Sequence, residues 1–144
     1  MKKLLRTIFK ALYAAYLAVL FAFTVLRPWN GAPHFLGGSV NARLMAAYAP
    51  ILRYDPSLFI YLFFGNIVWF IPFGLRQGLR PGRTPGGAAL RGFLLSLGIE
   101  AAQFLLGTGV SELDDLLLNT CGCLIGWCLA RLLRRLRRPG SRRA

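Results

Sequence analysis

Apolar residues run along this chain in four long blocks rather than in the mixed periodic pattern of a soluble core. The blocks cover residues 7–26, 58–75, 92–106 and 113–133. Crossing the hydrocarbon of a bilayer as a helix takes about 20 predominantly apolar residues, within a range of roughly 17–25. The third block is the short one, so its ends are the least defined. Basic or Gly/Pro-rich segments separate the blocks, a layout that identifies lipid as the solvent. The pattern predicts an all-α membrane protein, a bundle of about four transmembrane helices. One domain covers residues 1–144, with a basic tail over 134–144.

The first block follows Lys2, Lys3 and Arg6, and a basic start before an apolar run also describes a signal peptide. This run ends at Leu26-Arg27-Pro28 instead of a small-residue cleavage site, and it reads as an uncleaved anchor. The connection from Arg27 to Ser57 holds Gly31, Pro33, Gly37, Gly38, Pro50 and Pro56. Within it, residues 41–52 suit a short helix lying in the interface, and Trp29, Tyr48 and Tyr54 suit the headgroup zone. Pro72 falls near the end of the second block, where neighbouring helices can satisfy the freed carbonyl. Residues 76–91 read as a Gly/Pro/Arg loop, and Gly107-Thr108-Gly109 as a tight turn. Small residues at helical spacing offer packing faces: Gly122/Gly126, Gly92/Ser96, and Ala11, Ala15, Ala18 and Ala22.

Composition agrees with this layout: 56% of residues are hydrophobic and 16% charged. The net charge of +13 raises the question of nucleic acid. The arginines, however, sit at the ends of apolar runs rather than along one face of a soluble helix, so membrane lipids are the expected partners and nucleic acid is not. The same cations predict orientation. Lys2, Lys3, Arg6, Lys10, Arg76, Arg80, Arg83, Arg91 and the arginines from Arg131 to Arg143 make fifteen of the eighteen on one side. Only Arg27, Arg43 and Arg53 fall on the other. The positive-inside rule then puts both termini in the cytoplasm and residues 27–57 outside, together with the Gly107–Glu112 turn. Cys121, Cys123 and Cys128 all lie in the fourth block, an odd set on different helix faces that suits apolar packing better than a disulfide or metal framework.

Against this apolar background the acids stand out. Of Asp55, Glu100, Glu112, Asp114 and Asp115, only Asp55 lies outside the last two blocks and their turn. An ionisable group within a span costs at least about 2.5 kcal/mol on insertion scales. Glu100 and Gln103 share a face of the third helix, and Asp115 and Asn119 share a face of the fourth. Asn66 lies at comparable depth in the second. These five are expected to line one polar pocket opening outward, with Glu112 at its mouth. An architectural reading stands beside this one: buried amides often serve as hydrogen bonds between helices. Asp115 near a helix start, capped by Ser111, would also favour the helix dipole. His34 is a lone loop residue and reads as solvated.

No nucleophile elbow, phosphate loop or His-rich metal motif is present. Glu100 and Asp115 are the candidate catalytic residues if the chain is an enzyme, as general acid and base or as oxygen ligands to a divalent ion. Nothing in their spacing requires either, and no cofactor or metal is expected.

The segments GNIVWFIPFG (Gly65–Gly74), SLGIEAAQF (Ser96–Phe104) and ELDDLLLNTCGCLIG (Glu112–Gly126) resemble the VanZ-like family in order and spacing, from LRPWN (Leu26–Asn30) onward. The resemblance places Asn66, Pro72, Glu100, Gln103, Glu112, Asp115, Asn119 and Gly122 on the family's polar and turn positions. Glu112 stands where aspartate is usual. The family is named for a protein of teicoplanin resistance, which implies action at the bacterial cell envelope. Two functions follow as expectations. The chain binds an envelope lipid, a lipid-linked precursor or an amphiphilic glycopeptide through Asn66, Glu100, Gln103, Glu112, Asp115 and Asn119. Alternatively, it is a small intramembrane enzyme or transporter acting on an envelope lipid with Glu100 and Asp115. A scaffold or accessory role is the third reading.

Overall fold

A computed structural model describes residues 1–26 and 35–137. Arg27, Trp29, His34 and the tail beyond Arg137 lie outside the described residues. The elements are α1 (Lys2–Val25), β1 (Ser39–Asn41), α2 (Tyr48–Tyr54), α3 (Pro56–Leu79), α4 (Pro85–Leu106), β2 (Val110–Glu112) and α5 (Leu113–Leu136). α1, α3, α4 and α5 are each long and apolar enough to cross a membrane. The protein is all-helical apart from the small sheet formed by β1 and β2.

Two boundaries differ from the sequence expectation. α3 continues past Leu75 to Leu79, and α4 starts at Pro85 rather than at Gly92. The expected loop over residues 76–91 shrinks to a turn between Leu79 and Pro85. Arginine has good helix propensity and a long apolar stem, so Arg76 and Arg91 extend the helices beyond their apolar stretches. The starts are set by local chemistry. Asp55 caps α3, its Oδ1 accepting from Leu58 N at 2.9 Å, with Pro56 in the first turn. Thr84 does the same for α4, its Oγ1 accepting from Gly87 N at 3.1 Å. The short helix expected over residues 41–52 is α2, which begins at Tyr48 rather than at Asn41. Pro50 falls in its first turn, where a missing N–H leaves no carbonyl unpaired.

The chain forms two compact units, Met1–Val40 with Ile99–Ser111 (unit 1) and Asn41–Gly98 with Glu112–Ala144 (unit 2). In unit 1, α4 ends in a Schellman motif. Gly107 adopts φ +62°, and Thr108 N donates to Gln103 O at 3.1 Å and Gly107 N to Phe104 O at 3.3 Å. The segment before β1 adds two more donors to that last turn, Leu36 N to Leu105 O and Gly38 N to Phe104 O, which also accepts from Gly107 N. A Cβ at Gly38 would collide with the Phe104 backbone, so only glycine permits this approach. On α1, Leu20, Thr24 and Val25 are buried. Ala11, Ala15, Ala18 and Ala22 are exposed, so the alanine face expected to pack does not. Small size alone does not select the face that packs.

Unit 2 is organised by a seam between α3 and α5. A Cβ on Gly122 would overlap the Ile67 carbonyl, and one on Gly126 the Ile71 carbonyl. In return, Gly74 meets the backbone of Cys123, and Gly78 that of Trp127. Helix backbones touch along this line because both helices place glycine there. α4 packs on α5 through Gly92, whose added Cβ would strike Cys123, and through the fully buried Ser96.

Candidate functional site

The polar residues of unit 2 gather where α2, α3 and α5 meet. Asp115 lies in the first turn of α5. Its Oδ1 accepts from Asn66 Nδ2 of α3 at 2.6 Å and from the Tyr48 hydroxyl of α2 at 2.9 Å. Asn66 Nδ2 is also 3.0 Å from the Tyr48 oxygen, which closes a three-membered cluster. The Tyr48 ring is held edge-on against Phe59 and Phe63, with centroids at 6.0 and 5.5 Å. Burial drives the Tyr48 hydroxyl well above the ordinary tyrosine range, and the Asp115 charge and hydrogen bond push it further, with Glu112 adding a smaller push. Tyr48 is therefore a neutral donor at any physiological pH.

Each position has a local reason. The N-terminus of α5 favours carboxylates in its first turn, where Asp114 and Asp115 both lie. Asp114 turns the other way: it is 5% exposed, and its Oδ2 accepts from Met45 N at 2.8 Å. Met45 has a left-handed backbone, φ +58°, so this bond holds a strained turn of the loop before α2. One turn below Asp115, Asn119 donates from Nδ2 to Ser96 Oγ at 2.8 Å. Ser96 Oγ in turn is 3.5 Å from Asp115 O. The buried Asn119 Oδ1 has no partner among the described residues.

Of the residues expected from sequence, Asn66 and Asp115 meet directly, and Asn119 joins through Ser96. Glu112 is the N-cap residue of α5 and gives no side-chain cap. Ser111 does not cap α5 either. Its hydroxyl donates instead to Glu100 O at 2.7 Å within unit 1. Glu100 is 4% exposed. Gln103 donates from Nε2 to Thr24 O at 3.0 Å, satisfying a carbonyl in the last turn of α1. Tyr48, Ser96 and Asp114 are members that sequence reasoning missed. From sequence Tyr48 is one headgroup-zone aromatic among several, and no periodicity ties it to a residue 67 positions away.

Chemically, the cluster offers a carboxylate fixed by two neutral donors at the start of an apolar helix, beside a second carboxylate at Glu112. Such an arrangement orients hydroxyl or ammonium groups of a ligand. Among the described residues, no group of three or more His, Cys, Asp or Glu side chains is placed to hold a metal ion.

No curated protein and no solved structure matches the chain. The family model described as VanZ/LLP1 matches residues 10–134, which takes in most of α1, all of α3 and α4, nearly all of α5 and every residue of the cluster. The chain belongs to the VanZ/LLP1 family of membrane proteins.

Proposed function

We propose that this protein is a multi-pass protein of the bacterial cell membrane that binds an amphiphilic envelope molecule at its outer face. The candidate ligands are an envelope lipid, a lipid-linked precursor, or a lipid-tailed glycopeptide of the teicoplanin type. Binding of the last would contribute to resistance. One observation carries the reading: the Asp115 carboxylate is set in place by Tyr48 and Asn66 from two other elements. A binding group needs its rotamer locked by surrounding partners, and this one has them. Glu112 adds a second carboxylate at the start of α5 and Asn119 backs the cluster from within the helix packing, while the apolar helices on either side suit an acyl or polyprenyl tail. The outward direction rests on the fifteen-to-three division of cations.

The test uses detergent-purified protein and native mass spectrometry with phosphatidylglycerol, a polyprenyl-phosphate-linked precursor and teicoplanin. Wild type, Asp115→Asn and Glu100→Gln are compared. Retention of one ligand class, lost in Asp115→Asn while the melting temperature holds, supports the reading. Equal retention of every ligand in all three proteins sinks it. Chemical conversion of a bound lipid, abolished in Glu100→Gln, would establish the enzymatic alternative in its place.

A further inference from the structure

Unit 2 carries its acids at one end, together with Arg43 and Arg53, and only cations at the other. Its acids, Asp55, Glu112, Asp114 and Asp115, all lie at or before the first turns of α3 and α5. No acidic residue occurs between Asp55 and Glu100 or after Asp115. The opposite end holds Arg80 and Arg83 in the turn between α3 and α4, Arg91 on α4, and Arg131, Arg134, Arg135 and Arg137 at the end of α5.

These cations do not hang on independent loops. The glycine seam runs down to Gly78, where α3 touches Trp127 and Ala130 of α5. Arg134 Nη1 then reaches Leu79 O at 3.4 Å and ties the two helix ends together. Arg91 Nη1 lies on Gly87 O at 2.6 Å, and the Arg131 guanidinium stacks over Trp127 at 5.5 Å from the ring centroid. The ends of α3 and α5 are thus tied together, and the turn that leads from α3 into α4 adds Arg80 and Arg83 to the same end, which among the described residues carries no acidic side chain. Like charges so placed repel one another unless an anion comes between them.

We propose that this arginine-lined end of unit 2 is a clamp for the headgroup of an anionic phospholipid. The occupant is a lipid because the clamp is built on the ends of membrane-crossing helices, at the depth where phosphodiesters lie. Guanidinium groups engage phosphate oxygens in a bidentate manner, which a zwitterionic headgroup satisfies less well because it carries its own cation. Arg80, Arg83 and Arg135 supply the reaching guanidinium groups, while Arg91, Arg131 and Arg134 are braced against the protein.

The experiment is native mass spectrometry of the full chain, purified in detergent and equilibrated with equal phosphatidylglycerol and phosphatidylcholine. Wild type is compared with a clamp variant, Arg80→Gln/Arg83→Gln/Arg135→Gln, and with a control that removes as much charge from unit 1, Lys3→Gln/Arg6→Gln/Lys10→Gln. Wild type and control are expected to retain phosphatidylglycerol selectively, and the clamp variant to lose that selectivity about tenfold. Among the described residues the three replaced side chains make no hydrogen bond or ion pair, and a melting curve confirms folding. Should the clamp variant unfold, Arg80→Lys/Arg83→Lys/Arg135→Lys takes its place, with a smaller loss expected because the charge stays and the bidentate geometry goes. Equal losses in clamp and control variants would reduce the effect to net charge and overturn the proposal. So would undiminished selectivity in the clamp variant, or competition by inorganic phosphate as strong as by lipid.

Discussion

Asp115 Oδ1 lies 2.6 Å from Asn66 Nδ2, so a carboxylate in the first turn of α5 is bonded to an amide in the middle of α3. The two helices already touch backbone to backbone through glycine, and this bond sets their polar faces in register. Exchange of Asp115 for asparagine leaves an oxygen in place to accept from Asn66 and Tyr48, and removes only the charge. Asp115→Ala strands both donors. Polar contacts between membrane helices average about 0.6 kcal/mol with a maximum near 1.7. Asp115→Ala is therefore expected to lose about 1–3 kcal/mol, the cost of unpaired buried groups, and Asp115→Asn less than about 1. Chemical denaturation in mixed micelles measures the difference. Equal losses would mean that the charge itself, rather than the hydrogen bonds, holds the helices.

Tyr48 is the other donor to that carboxylate, and its raised pKa has a definite sign. Burial, with Asp115 and Glu112 behind it, favours the neutral phenol in the folded protein. The stability this represents is complete below the unfolded tyrosine value of about 10 and declines as pH rises beyond it. The phenolate absorbance of folded wild type minus that of Tyr48→Phe is expected to stay flat between about pH 9 and 11. A full tyrosinate step in that difference near pH 10 would show the hydroxyl to be solvated, contrary to the cluster as described.

The α3–α5 seam predicts a graded response to the smallest possible side chain. An alanine at Gly122 or Gly126 places its methyl into a carbonyl of α3, and both helices must move apart. Overpacking of this kind costs typically about 1–3 kcal/mol. At Gly65 of the same helix pair an added Cβ meets nothing within 4 Å. Gly65→Ala is therefore expected to be neutral or slightly stabilising, since alanine favours the helix by up to about 1 kcal/mol. Melting temperatures of the three single variants, measured in one detergent, check the contrast.

Much of this was legible in the residue pattern, for reasons that also explain what was not. The four spans follow from apolar block length, because a bilayer demands that length of any helix crossing it. Gly122 and Gly126 announced the seam, and Asn66 and Asp115 announced the cluster, because polar groups in apolar blocks are rare enough to notice. The helix ends near Arg76 and Arg91 are not legible from charge, which marks the edge of an apolar block while the helix continues past it. Tyr48, Ser96 and the exposed alanines of α1 depend on which helix packs against which, and periodicity on one helix carries no information about its neighbour. Gln103 shares a helical face with Glu100, as its spacing implies, yet its amide donates to Thr24 O of α1.

That bond separates an architectural Gln103 from a ligand-binding one. Its Nε2 satisfies a carbonyl in the last turn of α1, while its Oε1 has no partner among the described residues. Gln103→Leu keeps the volume but leaves Thr24 O without its donor, at a cost of about 1–3 kcal/mol. Gln103→Glu keeps an oxygen and, when ionised, presents only acceptors toward that carbonyl. If Gln103 holds α1 to α4, both variants should destabilise the protein, with Gln103→Glu regaining stability as pH falls and its carboxyl protonates to become a donor. Ligand retention by whatever remains folded should match wild type. If Gln103 instead binds ligand, Gln103→Leu should melt like wild type and lose retention. Melting and native mass spectrometry on the same preparations distinguish the two, because one role changes only the first measurement and the other only the second.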